Sequence, residues 1–252
     1  NGTTLGADNG IGLAISLAIL EDKAVKHGPI EALFTVDEET GLTGAFAMKS
    51  DMLTGKIMLN LDSEDFGVIT VGCAGGGDSS IELPIQMQPN PGDESLLVKV
   101  SGLRGGHSGV DIHEQRGNAI KILTRLLWKA SQNQEFFLFD IKGGDKHNAI
   151  PREAYAKASI QKNNKNEFVK DVKAEEKEIY EEIKPIDPNF KVEVTSAEPS
   201  KNALEKTSQR NLLNLLHGLP HGVHQMNYDI KTLVNTSTNL ATISVKENAI
   251  LI

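Results

Sequence analysis

Apolar and polar positions follow two regimes along this chain, and the change between them divides it. Over residues 1 to about 72, short apolar runs are separated by glycine-bearing and acidic turns. Ile11 to Leu20 is apolar at Ile11, Leu13, Ala14, Ile15, Leu17, Ala18 and Ile19, which predicts a well-buried helix capped by the Asp8-Asn9-Gly10 turn. Ile30 to Val36 reads as a buried strand, and Lys56 to Leu61 as a second strand apolar enough for a central parallel position. Between them, Thr43 to Met52 is expected to be helical, with Thr43 as its cap. This alternation predicts an α/β domain.

At Gly72-Cys73-Ala74-Gly75-Gly76-Gly77 the composition shifts, and such a run serves as a hinge between domains. It lacks the Gly-Lys-Ser/Thr ending and the following helix that a phosphate loop needs. Beyond it come a strand over Ser79 to Gln88, a Pro-Asn-Pro-Gly turn and a strand over Ser95 to Leu103. A long helix from about Ile112 to Ala130 carries Ile120, Leu123, Leu127 and Trp128 on one face. Strands Phe136 to Lys142 and Ala154 to Gln161 follow, then an amphipathic helix over about Asn166 to Lys184 with Phe168, Val172, Ile179 and Ile183 as its stripe. Pro185 and Pro188 end that helix, and Phe190 to Thr195 is a strand. From Ser95 the order is β-α-β-β-α-β, the ferredoxin-like arrangement. A short helix near Gln209 to Leu216 and closing strands around Leu240 to Val245 and Ala249 to Ile252 extend it. The division expected is residues 1–72 and 73–252.

Composition narrows the function. With 252 residues, 39% hydrophobic and 24% charged, the chain has the balance of a soluble globular protein. Its net charge of −8 argues against nucleic-acid and anionic-membrane partners, which call for a basic face. No apolar run approaches the roughly 18 residues of a membrane span. The single cysteine, Cys73, excludes an internal disulfide framework and fits a reducing, cytoplasmic setting. The chain opens on Asn1 rather than Met, so a fragment is expected.

Chemistry is expected where Phe34-Thr35-Val36 turns into Asp37-Glu38-Glu39. Acidic runs are often solvated faces or helix N-termini. Here two further strand or helix boundaries carry isolated acids, Asp8 before the first helix and Asp62 after Asn60-Leu61. Carboxylates that gather repel one another unless a proton or a cation joins them. Three acid-bearing loops therefore read as the hard-oxygen part of a metal site, with one acid kept off the metal as a base.

The strings Leu5-Gly6-Ala7-Asp8-Asn9-Gly10, Thr35-Val36-Asp37-Glu38-Glu39-Thr40-Gly41, Asn60-Leu61-Asp62-Ser63-Glu64, Gly102 to Gly109 and Lys146 to Arg152 occur here in order. Together they resemble the di-zinc exopeptidases with an inserted lid domain, above all the aminoacyl-histidine (Xaa-His, carnosinase-like) dipeptidases. The resemblance implies an incomplete α/β phosphorylase/hydrolase-like catalytic domain over residues 1–72 and an α+β ferredoxin-like lid over 73–252, used for dimerisation and substrate contact. It implies two zinc ions, with cobalt or manganese as possible substitutes. Asp8 would bridge the metals, Glu39 would ligate one and Asp62 the other. Glu38 would be the general base, and Asp37 an outer neighbour of the site. In the lid, His107 would donate a hydrogen bond to the substrate carbonyl, and Asn148 and Arg152 would bind substrate, Arg152 matching a free carboxylate. Read alone, His107 could equally be structural and Arg152 a surface ion pair. His113, His147, His217, His221 and His224 receive no role.

The family's first metal histidine, in a His-x-Asp motif before the bridging aspartate, and its last, near the carboxyl terminus, have no counterpart among these residues. The expectation is a partial chain, inactive alone, from a cytoplasmic homodimeric metallo-dipeptidase acting on short peptides. Rival readings are a related deacylase or tripeptidase, or a non-catalytic dimerisation fragment.

Overall fold

A computed structural model describes residues 8–38, 41–63 and 66–252. The chain divides into two compact units, Asn1–Cys73 and Ala74–Ile252. The proposed metal ligand Glu39 lies outside the described residues.

Among its described residues the first unit holds two helices, α1 (Gly10–Glu21) and α2 (Thr43–Phe46). Asn9 caps α1, its Oδ1 accepting the Gly12 N–H at 2.9 Å. The helix expected to be well buried is not: only Gly12 is buried, and Ile11 is 70% exposed. An apolar surface that runs all round a helix needs cover on every side, and the described part of this unit does not supply it. Nor are the two expected strands formed: among the described residues, 30–36 and 56–61 run without a ladder. A strand needs a neighbouring backbone in register. Here the link is a side chain, the Glu31 carboxylate, which accepts from Thr54 N–H, Thr54 Oγ1 at 2.6 Å and Gly55 N–H at 2.9 Å. Those donors hold Glu31 below the usual carboxylate pKa, the Thr54 hydroxyl most of all. The helix read over Thr43 to Met52 stops at Phe46; Leu42, left-handed at φ 60°, occupies its cap position and makes no side-chain cap bond.

The second unit is built on an antiparallel sheet. In chain order its strands are β1 (Glu82–Pro84), β2 (Met87–Pro89), β3 (Glu94–Ser101), β4 (Gly106–His107), β5 (Phe136–Gly143), β6 (Ala149–Ile150), β7 (Ala154–Ile160), β8 (Lys191–Ser196), β9 (Asn202–Leu204), β10 (Gly222–Met226), β11 (Val234–Thr238), β12 (Ile243–Val245) and β13 (Ala249–Leu251). Its helices are α3 (Ala119–Ala130), α4 (Lys165–Ile183) and α5 (Lys206–Gly218). The main sheet runs β1-β13-β12-β5-β7-β3-β8. Within it, β3-α3-β5-β7-α4-β8 gives the order β5-β7-β3-β8, which is the expected ferredoxin-like pattern. The expected strand over Ser79 to Gln88 is divided, because β1 pairs with β13 whereas β2 leaves to pair with β9.

Helix α3 buries Ile120, Leu123 and Leu127 as read from the sequence, and packs on β3, β7, α4 and α5. Helix α4 buries Phe168, Val172 and Ile179, and the Phe168 ring meets Phe136 edge to face at 5.1 Å. Arg125 joins α3 to α4 through Glu175 at 2.7 Å and through both oxygens of Glu182, at 2.7 and 2.8 Å. The Glu182 bonds come first among the causes that raise the guanidinium's pKa. The helix expected from Ile112 is interrupted. A 3₁₀ turn at Ile112–Glu114 ends on Gln115 at φ 56°, and α3 restarts behind Asn118, whose Oδ1 accepts from Ile120 and Lys121 N–H at 3.0 and 3.1 Å.

Candidate active site

In the first unit, two of the acid-bearing loops are joined by one side chain. Asn9 Nδ2 donates to the Leu61 carbonyl at 2.8 Å, so the residue after Asp8 is tied to the residue before Asp62. Both aspartates are exposed, and the Asp8–Asn9 peptide is cis. The loop carrying Glu38 is folded on itself. The Glu38 carbonyl accepts from Gly41 and Leu42 N–H at 3.3 and 3.2 Å, and Gly44 N–H reaches the Val36 carbonyl at 3.0 Å. Gly44 is required there, since a Cβ would stand 2.6 Å from the Val36 nitrogen.

A divalent metal takes four or more donors. Asp8 and Asp62 offer hard oxygens on loops already linked, so their chemistry fits one side of such a site. Among the described residues no three of His, Cys, Asp and Glu gather into a ligand group.

In the second unit, the lid residues come together through a two-residue ladder. Gly106 pairs with Ile150 and His107 with Ala149, while Ser108 N–H donates to the Asn148 carbonyl at 2.8 Å. His107, Asn148 and Arg152 are all exposed. Among the described residues the Arg152 guanidinium has no ion-pair partner. The His107 ring is oriented by backbone: its Nδ1 accepts from Gly109 and Val110 N–H at 3.0 and 3.3 Å. A nitrogen that accepts carries no hydrogen, so the neutral ring holds its proton on Nε2.

Three residues that sequence reading passed over support this segment. Asp187 is 1% exposed, and its two oxygens accept from Arg104 and Gly117 N–H, each at 2.7 Å, closing the base of the loop that carries His107. Arg116 donates to the Gly105 carbonyl at 2.6 Å and to Asp111 Oδ1 at 3.0 Å. Its bond to Glu114, at 2.9 Å, is the first cause raising its pKa. An acid between two prolines, and an Asp and Arg five apart after a glycine-rich turn, were the only signals available.

Of the histidines left without a role, four have structural partners, among them His147, whose Nδ1 lies 3.4 Å from Asp78 Oδ2. His217 stacks on Trp128 at 4.5 Å. His221 faces Asn118 Nδ2 at 3.2 Å, and His224 bonds the Thr238 hydroxyl. Burial, then the neighbouring Lys121 ammonium and His224, lower the His221 pKa to about 4. Lys121 closes the end of α5, donating to the carbonyls of Leu216, His217 and Leu219 at 2.9, 2.9 and 2.7 Å.

Residues 98–188 match the family described as the peptidase dimerisation domain. The chain is 38% identical over 248 residues to the cytosol non-specific dipeptidase of Escherichia coli (strain K12), covering 98% of this chain and 51% of that protein. It superposes on the crystal structure of aminoacylhistidine dipeptidase from Vibrio alginolyticus with TM-score 0.84 and 37% identity, over 100% of this chain and 51% of that one. A shorter stretch of 68 residues is 43% identical to an uncharacterized protein of Bacillus subtilis (strain 168), covering 25% of this chain and 18% of that protein. The fold and these likenesses give the second unit an α+β peptidase dimerisation module over residues 98–188. Over nearly its whole length the chain is similar to these two dipeptidases, at 37–38% identity. It spans about half the length of the dipeptidases it matches. Among the described residues no helix is long and apolar enough to cross a membrane.

Proposed function

We propose that the complete gene product carrying this chain is a cytoplasmic, homodimeric metallo-dipeptidase that hydrolyses Xaa-His or similar dipeptides. The observation that carries the reading is His107, whose Nδ1 is occupied by two backbone N–H groups so that Nε2–H remains as a donor, on a strand paired with the Ala149–Ile150 segment that lies between Asn148 and Arg152 in sequence. The name of the Escherichia coli relative supports the cytosolic setting, and the match to the dimerisation domain supports the homodimer.

Asp8, Glu39 and Asp62 would hold the metal, two zinc ions in this reading with cobalt or manganese as substitutes, which when bound polarises the scissile carbonyl and acidifies water. Glu38 takes the proton of the attacking water and returns it to the leaving amine. His107 Nε2–H donates to the carbonyl oxygen as negative charge develops on it. Arg152 offers two parallel donors to the free carboxylate of a dipeptide, and Asn148 hydrogen-bonds the substrate next to it. Residues 1–72 would thus supply the catalytic half, and residues 73–252 the substrate-contacting lid.

The test is zinc content and Xaa-His hydrolysis of the complete gene product, wild type beside Glu38→Gln. Turnover should vanish while metal content is kept; surviving turnover removes Glu38 from the role of base. A panel of N-acyl amino acids and tripeptides separates the deacylase and tripeptidase alternatives. A purely dimerising role, favoured by the match over residues 98–188, predicts concentration-dependent sedimentation without metal uptake.

A further inference from the structure

We propose that Asp111 and Arg116 are positioning residues that hold His107 as its Nε2–H tautomer, with the ring fixed for hydrogen bonding to substrate. Resting on the reading of His107 as the carbonyl donor, it starts from the way the loop is closed around that residue.

His107 N–H donates to Asp111 Oδ2 at 2.8 Å, and Asp111 N–H donates back to the His107 carbonyl at 2.8 Å. These two bonds form a ring that encloses residues 108–110, and it is this turn that aims the Gly109 and Val110 N–H groups at Nδ1. Arg116 lies across the turn. One guanidinium nitrogen binds the carbonyl of Gly105, two residues before His107, at 2.6 Å, and another binds Asp111 Oδ1, four residues after it, at 3.0 Å. The rigid fork therefore spans both flanks of the histidine, which a flexible ammonium could not do. Its side chain is only 12% exposed. Gly106 is the residue that lets the fork lie against the backbone: at φ 153°, a Cβ there would stand 2.2 Å from Arg116 Nη1 and 2.5 Å from Asp111 Oδ2. The packed core lies elsewhere in the unit, so what this network orders is the exposed turn and the ring it carries. Among the described residues His107 Nε2 has no partner, which leaves that hydrogen for substrate.

The experiment compares wild-type complete gene product with Arg116→Gln, Arg116→Lys, Asp111→Asn, His107→Ala and the double variant His107→Ala/Arg116→Gln. The readouts are kcat, KM, metal content and the ¹⁵N signals of the His107 ring. Wild type should show a protonated Nε2 and an unprotonated Nδ1. Arg116→Gln and Asp111→Asn should average the two tautomers and lower kcat by about 10- to 100-fold, with KM and metal content nearly unchanged. Arg116→Lys should not rescue, since charge without the fork cannot span the turn. On the His107→Ala background, Arg116→Gln should add no further loss. A wild-type ring protonated on Nδ1 overturns the proposal without any variant. So do Asp111→Asn and Arg116→Gln enzymes that keep the wild-type ring signals, or losses that add to that of His107→Ala. If His107→Ala keeps full kcat, the donor role fails instead, while the ring signals still decide whether Asp111 and Arg116 set the tautomer.

Discussion

Asn9 uses both ends of its amide to join helix α1 to residue 61: Oδ1 accepts Gly12 N–H at 2.9 Å and Nδ2 donates to the Leu61 carbonyl at 2.8 Å. The aspartates on either side of this link, Asp8 and Asp62, inherit their relative placement from it. Asn9→Ala should therefore lose a helix cap, about 1 kcal/mol, and weaken metal uptake by the complete gene product. Asn9→Asp keeps the acceptor and removes the donor, so it should preserve the helix and still weaken metal uptake. Titration calorimetry with zinc reads the difference, and an unchanged affinity in both variants removes the link from the site.

Asp187 is the staple under the His107 loop. Asp187→Asn replaces one accepting oxygen by an N–H group that faces another donor, from Arg104 or Gly117. The expected cost is about 1–3 kcal/mol, seen as a lower unfolding midpoint of the second unit. A midpoint equal to wild type would show that the loop base is held by other contacts.

Phe168 is fully buried between α4 and the sheet, with its ring against Phe136. Phe168→Ala should cost about 3–5 kcal/mol, the range for an aromatic removed from a packed core. Denaturant unfolding at constant slope measures it. A loss below about 1 kcal/mol would mean that the site is loosely packed.

His221 should give the second unit an acid-sensitive step. Its folded pKa, about 4, lies below the ordinary 6.5, so the unfolded chain binds the extra proton first. Stability is then fully present above about pH 6.5 and falls as the pH drops toward 4. Allowing for partial exposure, the change should be about 2 kcal/mol. His221→Gln should flatten the unfolding midpoint across that window, and a curve that keeps its slope would assign the step to another group.

The ferredoxin-like part was legible because each element there has a sheltered and a solvated side. Phe168, Val172 and Ile179 recur at helical spacing and are buried together, and the strands that flank them fall in the expected order. The first unit was less legible. Ile30 to Val36 and Lys56 to Leu61 have strand-like apolar runs, yet a run specifies only that a segment prefers cover, and the described residues give neither segment a backbone partner. The break before α3 was invisible because its causes are a left-handed Gln115 and an Asp187 bond to Gly117 from 70 residues away.

The candidate site divides in the same way. Asp8, Glu38, Asp62, His107, Asn148 and Arg152 stand in motifs that can be read off the chain. Asp111, Arg116 and Asp187, which hold the His107 turn, lie outside what those motifs assign.

By itself, then, the sequence determined the strands β3, β5, β7 and β8 of the second unit and the buried stripes of α3 and α4. Those properties are local, set by periodicity and residue type. Tertiary structure alone decided that Asn9 meets Leu61, that Arg116 spans Gly105 and Asp111, and that Gly109 and Val110 N–H reach His107 Nδ1. A hydrogen-bond partner is chosen by where the folded backbone presents a free N–H or carbonyl, and that position has no period in the sequence.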